Sequence, residues 1–154
     1  MELIERFEYK YLIPKEDIAD VRSAVERYLV PDKYAQAAGG SYVVRSIYYD
    51  TPDLDCYYEK LAGIQHRRKV RIRGYGDTSE RYPAFLEIKR RDNQLVSKTR
   101  AAVPFEILDG ILNTGDIEGL LGERDEKTQD AVRAFLYHVR RYSMQPVLRV
   151  SYVR

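Results

Sequence analysis

HRRKVRIRGY, residues 66–75, is the stretch whose reading decides the fold. Val70 and Ile72 alternate with charged residues, which is the period of a β-strand. Alternation places Arg67, Lys69, Arg71 and Arg73 on one face and Arg68, Val70 and Ile72 on the other. Four cations on one strand face repel one another, so water must screen them or an anion must neutralise them. The neighbouring stretches carry faces of the same kind, and the anion they suit is a polyphosphate.

Working outward, Glu5 to Ile13 reads as a strand with Phe7, Tyr9, Tyr11 and Ile13 on its apolar face. Pro14 then opens a helix of about four turns. Its apolar stripe is Ile18, Val21, Val25, Tyr28 and Leu29, and Pro31 stops it. Lys33 to Gly40 reads as a loop, and Tyr42 to Asp50 as a strand. Thr51 and Pro52 supply the N-cap and first position of a short helix, with Leu54, Tyr57, Tyr58 and Leu61 as its buried stripe. Gly63 ends that helix.

Beyond the basic strand, Tyr82 to Arg91 puts Phe85, Glu87 and Lys89 on one face and Leu86 and Ile88 on the other. The Asp92-Asn93 turn predicts a hairpin to Leu95–Val103, which carries Val96, Lys98 and Arg100 on one face. Pro104 opens a short helix, and a second spans Asp116 to Leu121. A longer one, Thr128 to Tyr142, has Val132, Phe135, Leu136 and Val139 one turn apart. Pro146 to Arg154 reads as the last strand. The expected class is therefore α+β, an antiparallel-rich sheet with helices inserted between strands, in one domain over residues 1–154.

Composition narrows the function. Charged residues make up 32% of the 154, above the usual quarter or so, yet the net charge is only +2. Whole-chain charge therefore does not point to nucleic acid; placement of the cations is the signal. The single cysteine, Cys56, rules out an intramolecular disulfide and a cysteine zinc site, and reads as a small apolar group. No apolar run approaches the ~18 residues of a membrane span. The charged start, MELIERFEYKY, is no signal peptide, so a cytoplasmic location is the default. There is no Walker loop or dinucleotide fingerprint, and His66 and His138 lack metal-ligand spacing and read as solvated.

The charged face gathers Glu8 and Lys10; Lys69, Arg71 and Arg73; Glu87 and Lys89; Lys98 and Arg100; and Arg149 or Arg154. Two arrangements fit. In one, the sheet is half solvated and its Glu–Lys pairs form a surface network. In the other, the sheet closes into a barrel whose cationic lumen holds a polyanion. Arginine suits bidentate phosphate contacts and lysine supplies mobile charges. Glu8 and Glu87 are the candidate ligands of a divalent metal. RNA binding is disfavoured because most tyrosines are expected opposite the basic face.

RFEYKYLI, YVVRSIYYDTPDLDCYYEKLAG, RRKVRIRGYG, FLEIKRR and SKTR, in this order, resemble the VTC domain. That family belongs to the triphosphate tunnel metalloenzymes, relatives of the CYTH proteins. The resemblance implies a tunnel-shaped antiparallel β-barrel with helices outside. It also implies a polyphosphate polymerase that moves the terminal phosphate of ATP or another nucleoside triphosphate onto a growing chain with Mn²⁺ or Mg²⁺. By block, Lys10 matches the first-strand lysine, Arg71 and Arg73 the R-x-R pair, Lys89 the E-x-K lysine and Lys98 the K-x-R lysine. Tyr152-Val153-Arg154 resembles the start of a Y-x-R strand. The expected catalytic set is thus Arg71, Arg73, Lys89 and Lys98, with Lys10, Lys69, Arg100 and Arg154 binding substrate.

The family pattern continues with strands that this sequence does not contain, so the expectation is a C-terminally shortened domain. A hydrolase of triphosphate or tripolyphosphate, and a domain that binds polyphosphate without turnover, remain alternatives. A membrane-protein partner is also compatible. Arg71→Ala and Arg73→Ala are both expected to reduce phosphate affinity and turnover with little loss of stability.

Overall fold

The computed structural model describes residues 11–76, 82–93, 95–122 and 125–154. They fall into two compact units, one ending at Asp32 and the other Lys33–Arg154. In the first, helix α1 (Ile18–Val25) is shorter than the four turns expected. Ile18, Val21, Val25, Tyr28 and Leu29 are all exposed, so the predicted stripe is not a buried one. The predicted strand from Glu5 falls mostly outside the described residues, and positions 11–13 are not strand.

The second unit is built on one antiparallel sheet. Its strands are β1 (Val43–Asp50), β2 (His66–Tyr75), β3 (Ala84–Asp92), β4 (Leu95–Val103) and β5 (Gln145–Val153). Their order is β4-β3-β2-β1-β5, and every neighbouring pair is antiparallel. The helices are α2 (Lys33–Ala37), α3 (Asp55–Leu61), α4 (Phe105–Thr114), α5 (Ile117–Leu121) and α6 (Glu126–Arg141). The α+β class and its antiparallel sheet agree with the sequence pattern. Among the described residues, however, β4 and β5 are free edges, so the sheet is open and not a closed barrel. A register shift between Tyr48 and Tyr49 marks a bulge opposite Pro146. Proline cannot donate to a ladder, which suits an edge strand.

Alternation sorts the sheet. One face presents Val70, Ile72, Leu86, Ile88, Ala101 and Val103 to the main core. Against it pack Val132, Phe135 and Leu136 of α6, with Leu108 and Ile111 of α4 and Leu121 of α5. The 3.6-residue stripe of α6 and the two-residue period of the strands meet here. Asp125 caps α6 by accepting from the Thr128 N–H at 2.9 Å.

Three local expectations are corrected. Residues 33–37 are a helix where a loop was expected. Tyr57, Tyr58 and Leu61 of α3 are exposed, and Cys56 is the residue that faces the core. Thr51 is not the N-cap of α3; Leu54 holds that place with φ of 57°. The cap is instead Asp50. Its Oδ1 accepts from the N–H groups of Thr51 (2.8 Å) and Cys56 (2.9 Å), and its Oδ2 from that of Tyr57 (3.0 Å). Thr51 Oγ1 accepts from the Asp55 N–H at 3.0 Å.

Candidate functional site: a cationic sheet face

The other face of the sheet carries the charges, and strand register arranges them in rows. Lys69 of β2 lies opposite Lys89 of β3, which lies opposite Lys98 of β4. One pleat along, Arg71, Glu87 and Arg100 are likewise opposed. The next row is Ser46, Arg73, Phe85 and Ala102. Directly opposed like charges are destabilising, so the lysine row is a cost the fold carries in the absence of an anion. Lys69 and Lys89 are exposed and have no hydrogen-bond or ion-pair partner among the described residues.

Glu87 is the anchor of the middle row. It is 2% exposed, and its Oε2 receives Arg71 Nε at 2.8 Å and Nη2 at 2.7 Å. Lys98 Nζ and Arg100 Nε both stand 3.1 Å from Oε1. Oε1 itself is fully buried and accepts no aligned hydrogen bond. The two contacts at Oε1 are therefore ion pairs without hydrogen-bond geometry. Burial alone pushes this carboxyl up, but the hydrogen bond and charge of Arg71, with the charge of Lys98, hold it below the usual range. Burial acts to lower the Arg71 guanidinium, and its bonds to Glu87 and Tyr48 more than reverse that effect.

Neutral side chains fix the guanidinium planes, and two of them, Ser46 and Tyr48, were not revealed by the alternation of the basic strands. Arg71 Nη1 donates to Tyr48 Oη at 2.9 Å, and Arg73 Nε donates to the buried Ser46 Oγ at 3.2 Å. Arg100 lies over the Phe85 ring at 3.7 Å and donates to Tyr75 Oη at 3.2 Å. Their signal was the period of β1, which places Val44, Ser46 and Tyr48 together, but it becomes useful only once β1 is paired with β2.

The expected separation of tyrosines from cations is also corrected. Tyr42, Tyr75 and Phe85 share the basic face and form a second core with Val44 and Ala35 of α2. Tyr34 stacks on Tyr75 at 4.3 Å. Tyr42, Tyr75 and Phe85 are buried among one another, so they are not an open stacking platform.

The structure thus brings Lys69, Arg71, Arg73, Glu87, Lys89, Lys98 and Arg100 to one face. Arg154 pairs through its backbone with Tyr42 at the aromatic end, just before β1 begins and on the far side of Ser46 from the lysine row. Arg149 registers with Ile47 and falls on the opposite face. Lys10 and Glu8 lie outside the described residues. Of the histidines, His66 is exposed and pairs with Asp92 at 2.8 Å. His138 is buried under the sheet, contrary to the solvated reading, because it faces the core from α6.

No group of three or more histidine, cysteine or acidic side chains suited to a metal occurs among the described residues. Glu87 is the one carboxylate there on the charged face, and three cations already engage it. These residues do not form a metal cage by themselves.

The fold and site define an α+β domain with a cationic sheet face built around one buried carboxylate. Residues 5–154 match the family model of the VTC domain, and the chain belongs to that family. No curated protein matches it. Among solved structures, one described as a "putative adenylate cyclase" from Bacillus halodurans aligns with a TM-score of 0.49 and 12% identity. The alignment covers 91% of this chain, and the chain spans 59% of the length of that protein.

Proposed function

We propose that the cationic face binds a linear polyphosphate and the phosphates of a nucleoside triphosphate, and that the domain transfers the terminal phosphate to the polymer. The observation that carries this reading is the Lys69–Lys89–Lys98 row beside the Arg71–Glu87–Arg100 row. A chain of phosphates laid across the strands would neutralise the opposed lysines and give Arg73 and Arg100 oxygen acceptors. Family membership supports the phosphate theme.

In this reading Arg71, Arg73, Lys89 and Lys98 hold the phosphates and offset charge on the transferring group. Lys69 and Arg100 extend the track. A terminal phosphate oxygen of the polymer attacks the γ-phosphorus, the bond to the β,γ-bridging oxygen breaks, and the nucleoside diphosphate leaves. The attacking oxygen is already anionic, so positioning and electrostatic stabilisation carry the rate. A divalent ion, Mn²⁺ or Mg²⁺, fits this reading as one carried in on phosphate oxygens, which suit it, rather than held in a protein cage.

The test is incubation of the purified chain with ATP and Mn²⁺, resolved on a gel stained for polyphosphate. A ladder that Arg73→Ala and Lys89→Ala remove supports polymerisation. Release of inorganic phosphate without a ladder means that water is the acceptor and the domain is a hydrolase. Tripolyphosphate binding without turnover, lost in the same variants, makes it a polyphosphate-binding domain. Undiminished ladders from both variants overturn the site.

A further inference from the structure

On the helix-covered face, away from the cationic rows, a pocket of about 460 Å³ opens between β1, β2 and α4. That volume is within the ~300–1,000 Å³ range of small-molecule sites. Its walls are Ile47 and Ile72 from the sheet and Phe105, Leu108 and Leu112 from α4. Ile47 and Phe105 remain substantially exposed at it. The floor is deepened by Gly74. This glycine sits inside β2 with ordinary strand backbone, and a Cβ built there would meet nothing within 4 Å. No turn or positive φ requires glycine at this position. A strand glycine without a conformational reason marks room for a close approach.

The charged groups of the pocket are Arg45 of β1, Arg149 of the edge strand β5 and Asp109 of α4. Arg45 registers with Ser151, and Ile47 with Arg149, so Arg45 and Arg149 are diagonal neighbours on this face. Arg45 donates to the Gly76 carbonyl. Arg149 is exposed and has no hydrogen-bond or ion-pair partner among the described residues. Asp109 of α4 lines the same pocket. Burial, then the Asp109 charge, pushes the Tyr49 phenol up, which keeps it a donor.

We propose that this pocket binds an organic anion with an apolar ring body. Its acidic group lies between Arg45 and Arg149, and its body lies on Ile47, Ile72 and the Gly74 recess. Two arginines at neighbouring strand positions against one carboxylate set the sign of the ligand, and the apolar walls beside the Gly74 recess set its body. This inference stands apart from the phosphate reading of the other face.

The probe is 1-anilinonaphthalene-8-sulfonate, titrated by fluorescence into the full chain with tripolyphosphate present in excess. The expected result is saturable binding at one site, unaffected by tripolyphosphate and unchanged in Lys69→Ala/Lys89→Ala. Gly74→Leu should abolish binding while unfolding remains cooperative. Arg149→Gln should weaken it on the order of tenfold, since a charge-assisted contact is lost. Asp109→Asn should tighten it. Displacement by tripolyphosphate, absence of saturable binding, or affinity unchanged in Arg149→Gln overturns the proposal. If Gly74→Leu fails to fold, Arg149→Gln and Asp109→Asn decide: opposite shifts support the pocket, and shifts in the same direction overturn it.

Discussion

Glu87 holds three cations that would otherwise repel one another, and it does so from a fully buried position. Glu87→Gln keeps the shape and removes the charge. It should cost about 2–4 kcal/mol, since breaking a buried pair leaves the partners uncompensated. Tripolyphosphate should then raise the melting temperature more in the variant than in the parent, because phosphate replaces the missing charge. Thermal melts with and without tripolyphosphate check both. The folded-state pKa of Glu87 lies below its ordinary 4.5, so its stabilisation is present above that value and is lost as pH falls through the folded value. The same contacts revise the expectation for Arg71→Ala, which strips the closest partner from a buried carboxylate and should destabilise the fold. Arg73, whose side chain among the described residues is held by Ser46 alone, is the cleaner probe.

His138 gives a second pH window. Its Nε2 lies 2.7 Å from Arg90 Nη2, a group that can only donate, so Nε2 accepts and the ring is neutral with its proton on Nδ1. Burial first, then Arg90 and Arg68, holds the imidazole below its ordinary 6.5. Unfolding therefore takes up a proton, and stability should decline as pH falls below about 6.5 toward the folded value. Denaturant titrations from pH 7.5 to 5 should show this slope, and His138→Gln should flatten it. Cys56, pushed up to about 12 by burial and then Asp50, should resist thiol reagents at neutral pH until the protein unfolds.

At the scale of elements, α3 is held by a residue outside it. Three N–H groups converge on the buried Asp50 carboxylate at the end of β1. Asp50→Ala should cost about 2 kcal/mol, at the upper end for a cap, because the freed donors are shielded from water. Asp50→Asn, which keeps one acceptor, should cost less. Chemical denaturation of the two variants ranks them. α6 illustrates the opposite case, an element legible in advance. Its stripe of Val132, Phe135 and Leu136 is buried as the period implied. The stripes of α1 and α3 failed by contrast. The same periodicity says which residues share a helix face, but not whether another element covers that face.

For the molecule as a whole, the two faces of one sheet divide the work. One meets α3–α6 through an apolar core, and the other presents opposed cations. Lys69→Ala/Lys89→Ala removes exposed charges that face each other and have no partner among the described residues. The pair should leave stability unchanged or raise it by a few tenths of a kcal/mol. It should also lower tripolyphosphate affinity on the order of tenfold at low salt, with a smaller difference at high salt because exposed charges are screened. Calorimetric titration at two ionic strengths checks this. No helix among the described residues is long and apolar enough to cross a membrane.

The sequence by itself determined the five strands of the sheet, the hairpin at Asp92-Asn93 and the face that the charges of β2, β3 and β4 occupy, because side-chain alternation is a local property of extended chain. It therefore placed Lys69, Arg71, Arg73, Glu87, Lys89, Lys98 and Arg100 together. Only the tertiary structure decided the register that aligns lysine with lysine and Glu87 with two arginines. It also decided the contributions of Ser46, Tyr48 and Phe85, the buried setting of His138, the aromatic core beneath α2 and the open edges of the sheet. Each depends on which segments lie side by side, and that follows from packing between parts of the chain far apart in sequence.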